Sequence, residues 1–334
     1  MTMKINKTYS LLFLLGTSIF ITSCSDSLSD TTDGRLRYWI STLSSDEFEG
    51  RAPGTEGGQL TKNFISKTFQ DLKLDPVNGS YFLDVPTSEI TLKDSSYLTL
   101  SFRGNDRKMI TGDEVVFWTK QAREFRKIRD SEVVFVGYGI VAPEYNWNDY
   151  EGIDVKGKTV IILVNDPGFA TGKLRLFNGR SMTYYGRWTY KFEEAARQGA
   201  AAAIVIHEEE PAAYPWSVVE NSWQGPQLDL QRDDLGADRV ILEGWIRDST
   251  LNDVLNFTGF NYDSLKEIAL EKTFSAFPLR SLTLSSEIHN KVRYLQSHNI
   301  AAVKKGVIQP DEYILFMAHW DHLGFMDGDQ IGDD

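Results

Sequence analysis

The strongest constraint on the fold is a set of three short apolar runs, Val133 to Ile140, Thr159 to Val164 and Ala200 to Ile206, each set off by polar or turn residues. The first two are rich in β-branched side chains, and all are far shorter than the about 20 apolar residues of a membrane-spanning helix. The first two read as buried strands, and the third is a further apolar run toward His207. Between the second and third, Trp188, Phe192, Ala195 and Ala196 recur at helical spacing and stop at Gly199. This region is therefore an α/β or β-rich module. Upstream, Phe64, Ile65, Phe69 and Leu72 predict an amphipathic helix over 57–73, with Pro76 just past its end. Residues 81–120 alternate like strands, and 246–290 is polar and mixed. Downstream, Ile300 to Val303 leads through Gly306 and Pro310 to Tyr313–Ala318, which is apolar on both faces and predicts a central strand covered by helices.

Composition narrows the function classes. The chain has 334 residues, enough for about two domains of roughly 100–200 residues each. It has one cysteine, so disulfides do not staple the fold. Its formal charge is −12 with no long Lys/Arg run, which disfavours binding to phosphate backbones and predicts no nucleic-acid partner.

The cysteine has an informative position. Lys4 and Lys7 precede the apolar stretch Leu11 to Ile21, and Thr22-Ser23-Cys24 follows it. A basic start, a short apolar segment and small residues describe an export signal, and small residues directly before a cysteine resemble the lipobox of bacterial lipoproteins. Residues 1–23 are expected to be the signal peptide, Cys24 the lipidated residue, and 24–35, small and polar, a flexible tether with order beginning near Leu36. The chain is then an exported lipoprotein of the cell envelope, periplasmic or on the outer membrane. A lipid chain rather than charge would hold it to its membrane.

Most apparent catalytic motifs fail on context. Gly152 to Thr159 spells G-x-x-x-x-G-K-T, but the residues before it are turn-like and those after it strand-like, the reverse of a phosphate-binding loop. His207 is followed by three glutamates, yet Pro211 stands where the zinc pattern H-E-x-x-H needs its second histidine, so this stretch is expected to be a solvated loop. No G-x-S-x-G elbow occurs, and with Cys24 assigned to the anchor no cysteine nucleophile remains. His289 and His298 are isolated and expected to be structural or exposed. His319-Trp320-Asp321-His322 differs, because imidazole and carboxylate gather at the end of a predicted buried strand, where open α/β sheets place ligands and where zinc finds its preferred donors. Asp327, Asp329, Asp333 and Asp334 add carboxylates nearby.

Phe316 to Gly324, FMAHWDHLG, resembles the GAHYDHLG segment of the M28 family of zinc peptidases, the aminopeptidase Y and bacterial leucyl aminopeptidase type. Leu43 to Gly58 independently resembles that family's L-x-S-D-x-x-x-G-R-x-x-G-T-x-G entry segment. The stretch from about 130 to 245, with Gly137-Tyr138-Gly139-Ile140 and Asp149 to Lys158, resembles the protease-associated (PA) domain often inserted there. The resemblance implies an α/β fold: an incomplete zinc-exopeptidase-type mixed sheet with helices, plus an inserted β-rich PA domain. It implies an entry segment over 36–120, a PA-like domain over 121–260 and the start of the peptidase domain over 261–334. It makes His319 a zinc ligand and Asp321 a supporting catalytic group, in a family whose full-length members hold two zinc ions. The bridging aspartate, the glutamate pair and the remaining ligands have no match up to Asp334, so the chain is expected to be C-terminally truncated, with the strand at 313–318 lacking partners and exposing apolar surface. The activity implied is hydrolysis of N-terminal peptide bonds of peptide substrates through a metal-activated water. The rivals are a catalytically inactive exported PA-domain binding unit or fragment using Trp216, Trp223 and their neighbours, and a related amide chemistry such as aminoacyl cyclisation at a single zinc.

The anchor is directly testable. Metabolic labelling with a fatty acid is expected to mark the protein and not a Cys24→Ala variant; equal labelling of both would contradict it.

Overall fold

The computed structural model describes residues 32–223, 225–326 and 330–331, so Cys24, the signal peptide, Asp327, Asp329, Asp333 and Asp334 lie outside the described residues. The chain divides into two units, one made of residues up to Pro76 together with those from Ala302 onward, the other of Val77–Ala301.

The first unit opens with α1 (Thr32–Leu43), starting four residues before the expected onset at Leu36. A 3₁₀ turn over Asp46–Arg51 leads to α2 (Glu56–Asp71) and the two-residue β1 (Asp75–Pro76). The Thr55 hydroxyl caps α2 by accepting from the Gly58 N–H, and the apolar face reaches Phe48 through Phe64, ring edge to face at 5.9 Å.

The second unit contains β2 (Phe82–Leu92), β3 (Tyr97–Phe102), β4 (Asn105–Lys108), β5 (Val115–Trp118), β6 (Phe125–Phe135), β7 (Val141–Ala142), β8 (Trp147–Asn148) and β9 (Thr159–Leu163). It continues with α3 (Pro167–Thr171), α4 (Trp188–Arg197), β10 (Ala202–His207), α5 (Glu209–Ala212), α6 (Trp216–Ser222), β11 (Pro226–Leu230) and β12 (Leu242–Arg247). The helices α7 (Asp248–Thr258) and α8 (Tyr262–Ile268) precede β13 (Phe277–Ile300). The chain then returns to the first unit through β14 (Ala302–Val303), paired antiparallel with β1, and the short pair β15 (Phe325–Met326) and β16 (Gln330–Ile331).

Ten strands of the second unit form one mixed sheet, in the order β11-β2-β13-β6-β9-β10-β12-β5 with β3 and β4 alongside β13. The strands β6, β9, β10 and β12 run parallel, and every residue of β9 and β10 is buried. Helices and loops cover both faces, which is why these strands read as unbroken apolar runs. The P-loop look-alike is a turn that enters β9, with a strand where phosphate binding needs a helix.

Three expectations change. The run Val133–Ile140 is a strand only to Phe135; beyond it Gly137 and Gly139 take φ of +55° and +61° and turn the chain away. The polar stretch 246–290 holds α7, α8 and most of β13, because two of the inward positions of β13 are polar: the Ser286 hydroxyl donates to the Tyr97 carbonyl and the Asn290 amide to that of Arg123. The run Tyr313–Ala318 is not a strand: among the described residues none pairs with it, and its side chains stand in solvent, Phe316 89% exposed. The second unit also takes in 81–120, since β13 pairs with β2 and β3 and draws them into the same sheet. No helix among the described residues is long and apolar enough to cross a membrane.

One buried cation fastens the sheet to its loops. Lys191 of α4 is fully buried and donates to the carbonyls of Tyr138, 2.6 Å away, and Asn165, 2.7 Å away, at the ends of β6 and β9. Burial pushes its ammonium down, opposed by the charges of Asp149 and Asp166, and pushes the Asp149 carboxyl up. Lys191→Met leaves both carbonyls and the acids without their cation. It is expected to lower stability by about 3–5 kcal/mol, read from the urea unfolding midpoint; an unchanged midpoint would show that the ammonium does not hold these loops.

Candidate active site

Within the first unit the two motif segments come together across 269 residues of sequence. The Arg51 side chain donates from Nε to the Trp320 carbonyl at 3.1 Å and from Nη1 to the Leu43 carbonyl at 2.5 Å. In return, the His322 N–H donates to the Arg51 carbonyl and the Gly324 N–H to that of Gly50, at 3.3 and 2.9 Å. Contact is close enough that a Cβ at Gly50 would stand 2.9 Å from the Gly324 carbonyl oxygen, and one at Gly324 2.6 Å from Ala52 Cβ. Gly57 and Gly58 serve the same packing at the start of α2: a Cβ at Gly57 would meet the Phe48 carbonyl at 2.0 Å, and one at Gly58 would lie 3.5 Å from the Trp320 ring.

His319 is exposed, and its Nδ1 lies 2.7 Å from the main-chain carbonyl of Asp321. An Nδ1–H donated to that carbonyl fixes the ring and leaves the Nε2 lone pair outward, the usual arrangement for an imidazole that binds a metal. The Asp321 carboxylate is farther off, 3.8 Å from Nδ1, so it is the backbone of Asp321 that orients the ring. A zinc site needs three or four such donors. Among the described residues no group of three His, Cys, Asp or Glu side chains converges, so they supply one oriented imidazole and do not complete a metal centre.

His322 also lies in the first unit, and His207, His289 and His298 lie in the second. His289 and His298 are on β13, partly covered, beside Glu287 and Asp84. His207 is not in a solvated loop: β10 runs through it, it is 2% exposed, and its Nε2 meets the Tyr214 carbonyl at 3.1 Å between Trp216 and Trp245. Pro211 is tolerated because α5 is a single turn in which its missing N–H has no helical acceptor to serve. Trp216 is buried and donates to the Gly112 carbonyl, and Trp223 stacks on Trp118 with centroids 3.4 Å apart. Trp216 packs within the core, and Trp223 is half-buried against it.

A cleft of about 330 Å³ lies at the C-terminal ends of β9 and β10, lined by Tyr138, Asp166, Arg180, Glu208, Glu210 and Lys266 among others. That is where parallel sheets place ligands, yet its charges are already matched. Glu208 pairs with Lys266 at 2.8 Å and Glu210 with Arg180 at 3.4 Å. Asp166, raised by burial, accepts from the N–H groups of Gly168, Phe169 and Thr183 and from the Thr183 hydroxyl. The motif segments of the first unit are therefore the better candidate site. Sequence reasoning found His319, Asp321, Gly50 and Arg51 as motif letters and missed Lys191, for which a lysine inside an amphipathic helix gives no signal.

No protein-family model and no curated protein matches the chain. Among solved structures it is similar to an aminopeptidase from Aneurinibacillus sp. strain AM-1, with a TM-score of 0.36 and 17% identity over 78% of this chain and 48% of that one. The chain thus spans about half the length of that relative. Likeness at that level does not establish a shared function. The protein is a mixed α/β chain with a central mixed sheet and helices.

Burial holds His207 below the usual imidazole range, so on acidification the unfolded chain takes up its proton first. The stability from neutral His207 is complete above about pH 6.5 and is lost as pH falls below it toward the folded value. Urea midpoints are expected to fall from pH 7.5 to pH 5, and His207→Asn to flatten the profile by up to about 1.4 kcal/mol per pH unit. An unaltered slope in the variant would contradict the assignment.

Proposed function

We propose that the protein to which this chain belongs is an exported, zinc-dependent aminopeptidase of the M28 type that hydrolyses N-terminal peptide bonds. The observation that carries the reading is the meeting of residues 43–58 with 316–324. Each segment resembles the family on its own, and the fold joins them through three hydrogen bonds and two glycine contacts in one unit. His319, with Nε2 outward, is the imidazole this chain would give to zinc, and Asp321 is the residue that orients it. The inserted unit is read as PA-like, and the N-terminus as a lipid anchor at Cys24 that holds the enzyme at the cell envelope. The rival binding-unit reading depends on Trp216 and Trp223, of which Trp216 is buried and Trp223 is half-buried with its ring stacked on Trp118.

The test uses the full chain as its cell produces it. Aminoacyl 4-nitroanilides are expected to be hydrolysed, with activity lost to a chelator and regained with zinc. His319→Ala is expected to lower kcat/KM by about 100-fold or more. Hydrolysis that survives chelation, or that is unchanged in His319→Ala, would overturn the reading.

A further inference from the structure

The entry segment does more than lie beside the histidine segment, and what it does can be read from which residues it grips. Its bonds fall on Trp320, His322 and Gly324, every second residue of the run. In an extended chain the main-chain groups of alternate residues point to one side, and side chains alternate between the two faces. Gripping 320, 322 and 324 therefore fixes the register that sends His319 and Asp321 out on the same face. Exposure agrees: the His319 side chain is 77% exposed and that of Asp321 46%, while Trp320 packs toward Gly58. A slip of one residue would turn His319 to the opposite face.

The gripping residues are held in a conformation a chain adopts only under constraint. Glu49, Gly50 and Arg51 have consecutive φ values of +50°, +63° and +55°, left-handed backbone that side chains disfavour. That conformation presents the carbonyls of Gly50 and Arg51 to the histidine segment. The guanidinium then bridges two carbonyls, Leu43 at the end of α1 and Trp320 in the motif, a task suited to a planar fork and not to a single ammonium. Gly50 is required for space as well as for conformation, since any side chain would push against the Gly324 backbone.

We infer that Gly50 and Arg51 form a clamp that sets the register of residues 319–324, which makes Arg51 a positioning residue of the aminopeptidase site. The inference rests on the function proposed above, and its test separates the two. Hydrogen exchange of the 319–326 region and steady-state hydrolysis of an aminoacyl 4-nitroanilide are measured on the full chain with Arg51→Gln, Arg51→Lys, Gly50→Ala and His319→Ala. In Arg51→Gln and Gly50→Ala the amides of His322 and Gly324 are expected to exchange at least about tenfold faster. In the same variants kcat should fall about 10–100-fold with KM within about twofold, since orientation and not uniform binding is lost. Arg51→Lys, which can reach one carbonyl, is expected to recover part of the rate and part of the protection. A purely structural role would lower the thermal midpoint without that split between kcat and KM. Unchanged exchange in both Arg51→Gln and Gly50→Ala overturns the clamp. Faster exchange with unchanged kcat, while His319→Ala is inactive, overturns the positioning role and leaves the aminopeptidase reading standing. A fully active His319→Ala overturns that reading itself.

Discussion

The second unit depends on the need of one 24-residue strand to have its backbone paired. β13 spans Phe277–Ile300, and its main-chain groups find partners in β6, β3 and β2, with register shifts within the pairing to β6. Because β6 belongs to the parallel block and β2 carries the outer strand β11, β13 joins an antiparallel half-sheet to a parallel one. The buried lysine of α4 adds a fastening point, holding the loops that leave β6 and β9 by their carbonyls. A cation is suited to that task, since it donates to several acceptors in a place water does not reach.

In the first unit the organising contact is between Gly50–Arg51 and Trp320–Gly324. It is mostly a main-chain contact, close enough to exclude side chains at Gly50 and Gly324, so it constrains position tightly with few residues. The chain meets this requirement with left-handed backbone at Glu49 and Arg51, a conformation unfavourable in isolation and retained where surrounding bonds outweigh it. One exposed imidazole oriented by a neighbouring carbonyl is the chemical outcome.

What the sequence made legible follows from which signals are local. β9 and β10 were readable because every position is buried and apolar, α2 because Phe64 and Phe69 keep helical spacing behind a Thr55 cap, and α4 because Trp188 and Phe192 do the same. β13 was hidden because Ser286 and Asn290 occupy inward positions and are satisfied by distant carbonyls, a compensation no local window contains. The run Tyr313–Met317 shows the converse, since strand-like composition does not make a strand where no neighbour supplies the ladder. His207 was misread because three glutamates follow it, whereas the strand that carries it ends one residue before the acidic turn begins. At the candidate site, His319 and Asp321 were marked by clustered imidazole and carboxylate, and Gly50 and Arg51 only by family resemblance. That Arg51 reaches Trp320 is a long-range fact, and spacing along the chain carries no trace of it.

The central claim of the proposed function is that His319, held in register by the entry segment, faces a zinc ion. Anomalous scattering recorded across the zinc absorption edge, on crystals of the full chain grown with zinc, tests it most directly. The account predicts a peak at a coordination distance of about 2.0–2.1 Å from Nε2 of His319. Zinc bound elsewhere with His319 facing open solvent would contradict it.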